Sequence, residues 1–365
     1  MADVPTFGVE EELLLVDPNT GVPTMQNDTV ADYARELGLT LQLELTPCQI
    51  ETATDVLDTS AELTDALTSS RSIAAHAAHL AGASVLPAGV PPLLPELGPI
   101  TDTKRYRRIA AEYGIIALEQ GVCGAHVHIA IPNRDAAVQI SNHVRPWLPV
   151  LLALTANSAF YAGRDTGYAS WRSVLWSRWP SAGPPPFLDS ITHYDELVAQ
   201  LFDVGAILDD GMVYWDIRPS MNFPTLEVRI SDVPVTVHDT VLLAVLVRAL
   251  VMTASEAVRN NGSAPAVPEH ALRLAYWRAA RDGLSDRLVD PETGRLDTAA
   301  AAVRALVHHV SDALAITEER SLVDTGVRRN LLHGNGAGRQ RAAVAETGSI
   351  AAAVVSMTES VDRCG

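Results

Sequence analysis

The chain has 365 residues, 47% hydrophobic and 19% charged, so it carries enough apolar side chains to bury a substantial core and too many to stay disordered. A formal charge of −17 works against general binding to nucleic acid or an anionic membrane, which needs clustered Lys and Arg to meet phosphates. Cys48, Cys123 and Cys364 lie far apart with no CxxC pair, pointing to neither a disulfide framework nor a thiolate zinc site and suiting a reducing cytosol. The start, MADVPTFGVE, has no basic region followed by an apolar stretch, and no apolar run is read as reaching the roughly 20 residues of a membrane span. The expectation is a soluble cytoplasmic protein.

In chain order, FGVEEELLLVD at 7–17 reads as a strand with Phe7, Val9, Glu11, Leu13 and Leu15 on one face and Glu10 and Glu12 on the other, since side chains alternate. LTLQLELTPCQIE at 39–51 repeats the pattern, with leucines at 39, 41, 43 and 45 opposite Gln42 and Glu44, until Pro47 breaks it before Glu51. Residues 56–82 have helical spacing, with Asp58, Thr59 and Ser60 available as caps. After the Pro-rich turn at 87–99 comes CGAHVHIAIP at 123–132, where Val127, Ile129 and Ile131 oppose His126 and His128. Ala, Leu and Val enrichment predicts a helix at about 135–160, and PSAGPPPF at 180–187 is another turn. TLEVRISD at 225–232 alternates Leu226, Val228 and Ile230 with Glu227 and Arg229. Helices are predicted at 236–260, 268–282 and 297–316. With no repeat and no long linker, the chain reads as one α+β domain.

Four segments thus offer one greasy face and one ionisable face. A solvent-facing antiparallel sheet alternates in the same way, but such faces mix Thr, Ser and Lys with both charge signs. Here Glu10, Glu12, Glu44, Glu51, Glu227 and His126 stand with no lysine among them. On one concave surface they would repel strongly unless divalent cations sat between them, and carboxylates with imidazole suit magnesium or manganese. Glu11, on the apolar side, is expected to pair with a buried arginine.

FGVEEELLLVD, ELTPCQIE, CGAHVHIAIP, DTGYASWRSVLWSRWPSAGPPPF, YWDIRPS, PTLEVRISDVPVT, AARDGLSDRLVDPETGRL and GNGAGRQRA together resemble the glutamate-cysteine ligase type 2 family, the carboxylate-amine ligases. The likeness runs from about residue 6 to 345 and leaves 346–365 as a helical or peripheral tail. It implies a glutamine synthetase/guanido kinase-like fold, an antiparallel sheet forming a funnel with helices on its outer face. It also implies an ATP-dependent ligase that joins a carboxylate to an amine through an acyl phosphate, with glutamate and cysteine as the substrate pair. By the same likeness Glu10, Glu12, Glu44, Glu51, His126 and Glu227 hold two or three Mg²⁺ or Mn²⁺ ions. Arg218 and Arg229 contact the transferring phosphoryl group beside Glu227, and the chain forms a homodimer or larger assembly.

Other positions divide between site and scaffold. His126 is preferred to His128 as a ligand because it follows Gly124 and Ala125 in the motif, which leaves His128 as a supporting donor. Arg172 and Arg178 could form a lid over substrate with Trp171, Trp176 and Trp179, or those rings could pack against the body. GNGAGRQRA at 334–342 resembles a phosphate cradle without the Walker Lys-Ser/Thr pair, bringing Arg339 or Arg341 to the nucleotide. Cys123 reads as a small buried packing residue. A phosphotransferase of the guanidino-kinase kind, a ligase with another acid and amine, and a silent metal- or nucleotide-binding protein remain alternatives.

Overall fold

The computed structural model describes residues 4–93, 99–119 and 121–363, with side chains described as far as residue 358. Part of the turn at 87–99, and Cys364, lie outside the described residues. A seven-stranded sheet runs through the molecule. Its strands are β1 (Phe7–Val16), β2 (Gln42–Leu43), β3 (Gln49–Ala53), β4 (Ser84–Leu86), β5 (Gly124–Ala130), β6 (Ile217–Pro219) and β7 (Thr225–Asp232). The order is β2-β3-β1-β5-β7-β6, with β4 pairing the end of β1, and every pairing is antiparallel.

Alternation along these strands separates core from site. Phe7, Val9, Val127, Ile129, Leu226, Val228 and Ile230 enter one apolar cluster with the helices Arg134–Val144, Leu148–Thr155 and Val237–Arg259. The second half of β1, Leu13 to Val16, is buried on both faces in another cluster with Ile50, Val85 and the helix Ser60–Leu80. Glu11 faces this interior. Arg71 from Ser60–Leu80 grips it with Nε and Nη2 at 2.8 and 2.7 Å, and Thr240 donates its hydroxyl at 2.5 Å. The same guanidinium also donates to the Pro234 and Val235 carbonyls. A buried carboxylate is thereby fully paired, as expected for Glu11.

The helix starting at Ser60 is capped by Thr59, whose hydroxyl accepts the Glu62 N–H while Glu62 reaches back to the Thr59 N–H. The stretch expected as one helix at 135–160 is broken into Arg134–Val144, a tight turn at Arg145–Trp147, and Leu148–Thr155. Pro146 and Pro149 each remove a backbone donor there. Likewise 297–316 divides into Ala299–His309 and Ser311–Ile316. The 39–51 run does not form one continuous face. Leu41 joins the β1 cluster, whereas Leu45 packs with Trp179 and Met212 on the other side of the break.

Contrary to the reading of the sequence, the helix Val237–Arg259 is long and apolar enough to cross a membrane, yet 67% of its most apolar window is buried inside the protein. Its buried Arg248 donates to Glu319 at 2.6 Å, and its Asp239 pairs with Arg329 and Arg339 at 2.7 Å each. This is the hydrophobic element on which the sheet rests. At the end of the chain Ile350–Arg363 is helical, and Ala353 and Val354 are buried, Val354 against the β1 cluster.

Candidate active site

On the face of the sheet opposite the main core, the strand registers align the ionisable residues in rows. Gln42 stands opposite Glu51, and Glu51 opposite Glu12. Glu10 stands opposite His126. His128 stands opposite Glu227, and Glu227 opposite Arg218. Directly opposed residues share a face, so the period of two predicted from sequence becomes one continuous floor. This floor lines a cleft of about 600 Å³. Its walls include Arg105 and Tyr106, Trp176 and Trp179, and the segment 209–214.

Two groups on the floor bring ligand atoms within 4.8 Å of one another: Glu10, His128 and Glu227, and Glu12, Glu44 and Glu51. His126 lies between them, with Nδ1 3.1 Å from Glu10 Oε2 and Nε2 3.8 Å from Glu12 Oε1. His128 Nε2 is 3.4 Å from Glu10 Oε1, while its Nδ1 is 3.0 Å from the Thr225 hydroxyl. The Nε2 atoms of both histidines are buried without a hydrogen-bond partner among the described residues. Orphaned ring nitrogens facing carboxylates are what an ion between them would complete. Oxygen donors with imidazole and no thiolate fit Mg²⁺ or Mn²⁺. Cys123 is buried, and burial pushes its thiol well up, away from the thiolate a zinc site needs.

The two ends of the floor differ in charge. Burial would raise Glu227, but Arg229 and Arg218 outweigh it and hold the carboxyl well below its usual range. Arg218 Nε donates to Oε2 at 3.0 Å, and Arg229 Nη1 donates to Oε1. Glu10 is likewise held well down, its burial overcome by the hydrogen bond to His126 and by the charge of His126 and His128. At the other end burial pushes Glu51 well above the carboxylate range, and the Glu44, Glu10 and Glu12 charges push the same way. Burial also raises Glu12, whose Oε2 accepts the Gly124 N–H at 2.6 Å. One end is balanced by guanidiniums; the other is an acidic trio in want of cations.

The structure brings Glu10, Glu12, Glu44, Glu51, His126, Glu227, Arg218 and Arg229 to one cleft. His128, expected only as a supporting donor, lies with Glu10 and Glu227, and His126, the expected ligand, sits deeper between the two groups, within reach of Glu10 and Glu12. The signal was present, since residues 126 and 128 share a strand face. Arg172 does not line the cleft. It is buried beside Gly124, with Nη2 3.5 Å from the Arg229 carbonyl, and its charge is felt at Glu12. Arg339 is not at the site either, because Asp239 and Asn330 take its guanidinium. Nor is GNGAGRQRA a phosphate cradle: Asn335 caps the helix Gly336–Thr347, Gly336 lets that helix press on Asn157, and Arg341 pairs with Asp165. Arg178 pairs with Glu119 at 2.8 Å. Trp171 packs with Tyr161 and Tyr168, while Trp176 and Trp179 form wall. Sequence reasoning missed Arg105, which grips Asp209 at 2.8 and 3.1 Å on the rim. No periodicity announces a pair 104 residues apart.

The profile of glutamate-cysteine ligase family 2 (GCS2) matches residues 6–356. A Mycolicibacterium smegmatis protein provisionally named glutamate–cysteine ligase 2-3 is 55% identical over 344 residues, covering 94% of each chain. A Nocardia farcinica protein provisionally named glutamate–cysteine ligase 2-1 is 52% identical over 97% of this chain and 93% of its own. Among solved structures, a glutamate–cysteine ligase from Francisella tularensis in complex with AMP aligns with TM-score 0.68 at 14% identity, covering 98% of this chain and 88% of that one. A bifunctional glutathione synthetase from Pasteurella multocida aligns with TM-score 0.73 at 15% identity, over 98% of this chain and 52% of that one.

Proposed function

The chain belongs to glutamate-cysteine ligase family 2, and from that premise we propose that it is an ATP-dependent carboxylate–amine ligase. Its reaction joins glutamate to cysteine as γ-glutamylcysteine, with ADP and phosphate released. The observation that carries this reading is the pair of carboxylate groups on one cleft floor, with Arg218 and Arg229 anchored on Glu227 between floor and wall. Residues 1–365 act as one ligase domain, and the antiparallel sheet serves as the floor of a glutamine synthetase-like funnel. The protein works in the cytoplasm as a homodimer or larger assembly.

A substrate carboxylate attacking the γ-phosphate of ATP brings two anions together, so the site must neutralise charge and fix the line of approach. Glu10, His128 and Glu227, and Glu12, Glu44 and Glu51, with His126 between, would hold two or three Mg²⁺ or Mn²⁺ ions, whose charge would supply that neutralisation. Arg229 is suited to the phosphoryl oxygens: Glu227 fixes one edge of its guanidinium, and its Nε is a buried donor that no described group accepts. Arg218 is held by Glu227 and the carbonyls of Gly211 and Val213, which orients it along the same floor. The acyl phosphate formed by this transfer is then attacked by the amine, and phosphate leaves. Trp176, Trp179 and Tyr214 close one wall of the cleft, which keeps water from the activated acid.

The test is incubation with ATP, Mg²⁺, glutamate and cysteine, with products identified by mass spectrometry. An amide formed in step with ADP and phosphate supports the ligase. A stable phosphorylated acceptor with no free phosphate would instead mark a phosphotransferase.

A further inference from the structure

The cleft floor is charged, yet its mouth carries two large apolar side chains left in water. Met221 and Phe223 lie on the connection 220–224 between β6 and β7, line the cleft, and are 48% and 60% exposed. Exposed apolar area forfeits about 25 cal/mol per Å², and a patch of it at the edge of a polar site is informative where a scattered leucine is not. The connection is held in place: the Ser220 N–H donates to the Thr225 carbonyl at 2.9 Å and the Thr225 N–H to the Phe223 carbonyl at 2.8 Å. The strands it joins carry Arg218, Glu227 and Arg229. The Phe223 ring meets His128 at 86° with centroids 6.2 Å apart, which sets it beside the Glu10, His128 and Glu227 group. On the opposite wall Trp176, Trp179 and Tyr214 are less exposed, packing on one another in tilted and edge-on contacts with centroids 4.6 to 6.5 Å apart.

We propose that Phe223 and Met221 form the platform on which the planar base of the nucleotide stacks while its phosphates reach the floor beside Glu227. A nucleoside triphosphate is a polyanion at one end and a flat aromatic at the other. Its phosphates belong where two guanidiniums balance the carboxylates, and the aromatic surface next to that point is Phe223. The inference rests on the ligase reading, and it separates recognition of the base from recognition of the phosphates, which the charged floor performs by itself.

Calorimetric titration with Mg·ADP and with Mg·tripolyphosphate, which lacks a base, tests this on the full chain. Phe223→Ala is expected to weaken ADP about tenfold, as loss of a base–aromatic stack does elsewhere, and to leave tripolyphosphate within about twofold. Phe223→Trp should keep the wild-type ADP affinity. The platform is overturned if Phe223→Ala binds ADP like wild type, including where only its oligomeric mass changes, or if it loses ADP and tripolyphosphate equally, which would make the ring a prop for His128. Wild-type protein that binds no nucleotide overturns the ligase reading and the platform with it.

Discussion

Replacing Glu51 by Gln should stabilise the metal-free protein while removing much of what Mg²⁺ adds. In the group formed by Glu12, Glu44 and Glu51 the ligand oxygens lie within 4.8 Å of one another. At an effective dielectric constant of about 20, two unit charges at that distance repel by about 3.5 kcal/mol. Glu51 evades part of this by protonation, since burial and the neighbouring carboxylates push it well above 4.5. The sign follows. Below the unfolded value both states are protonated and nothing is lost; as pH rises past about 4.5 the unfolded carboxyl ionises and the folded one resists, so stability falls until the folded value is passed. Gln keeps the volume, offers an N–H₂ to Glu44, and removes that fall. Relief of about 2 kcal/mol, against an unfolding entropy of about 0.8 kcal/mol/K for a chain of this length, raises Tm by about 3 °C near pH 8 in chelator. Scanning calorimetry with chelator and with Mg²⁺ checks both halves. If Glu51→Gln melts below wild type in chelator, or keeps the whole Mg²⁺-dependent gain, the reasoning from crowded carboxylates is wrong.

Gly124→Ala would put a methyl group on the Arg172 guanidinium, 2.9 Å from Cζ, and shift the N–H that holds Glu12. A loss of about 1–3 kcal/mol in stability is expected, with Mg²⁺ affinity, read by calorimetry, falling about tenfold; unchanged affinity would detach Gly124 from the site. Arg339→Ala should cost about 1–2 kcal/mol, because Asp239 keeps Arg329, and should leave the KM for ATP unchanged, whereas a raised KM would return Arg339 to the nucleotide. Arg229→Lys keeps the charge but loses the fork, so single-turnover acyl transfer should slow by more than about tenfold with ATP binding less affected. A near wild-type rate would remove Arg229 from the chemistry.

The floor was legible because a strand has a period of two, and the first half of FGVEEELLLVD, the stretch HVHI at 126–129 and LEVRI at 226–230 alternate apolar with ionisable side chains, although Leu13 to Val16 are buried on both faces and the pairing of β5 with β7 shifts register between Ala125 and Val127. Even Glu11 followed, since a carboxylate on the apolar face must find a buried cation, and Arg71 is that cation. Glu44 reached the floor by a different route from the one read, because the break at 44–48 places it on a turn after β2 and not on a strand carrying the four alternating leucines at 39, 41, 43 and 45. Arg172 and Arg339 were misplaced for a common reason. A motif's arginine looks the same whether it serves a ligand or a buried carboxylate, and the deciding partners, Asp239 for Arg339 and the Gly124 gap for Arg172, are set by tertiary packing. Pro146 and Pro149 were visible punctuation that the Ala and Leu enrichment of 135–160 outweighed in the reading, and the backbone obeyed the prolines.

Charge along the floor gives the site a direction. Glu10 and Glu227 are matched by Arg218 and Arg229, so the end near Phe223 is close to neutral before any cation arrives and can receive phosphates without first overcoming a negative field. Glu12, Glu44 and Glu51 have no arginine bonded to them among the described residues; Arg172 and Arg229 act on Glu12 by charge at a distance, without the ion pairs that Glu227 makes. That end cannot hold an anionic acid substrate until cations outweigh its carboxylates. On the proposed ligase reading, nucleotide phosphates would go to one end and the carboxylate to be activated near the other, with His126 at the junction between the groups. Metal removal should accordingly impair acid-substrate binding more severely than binding of the nucleotide base. This order follows from where the guanidiniums stand, and it would reverse if Arg218 and Arg229 faced Glu51 instead of Glu227.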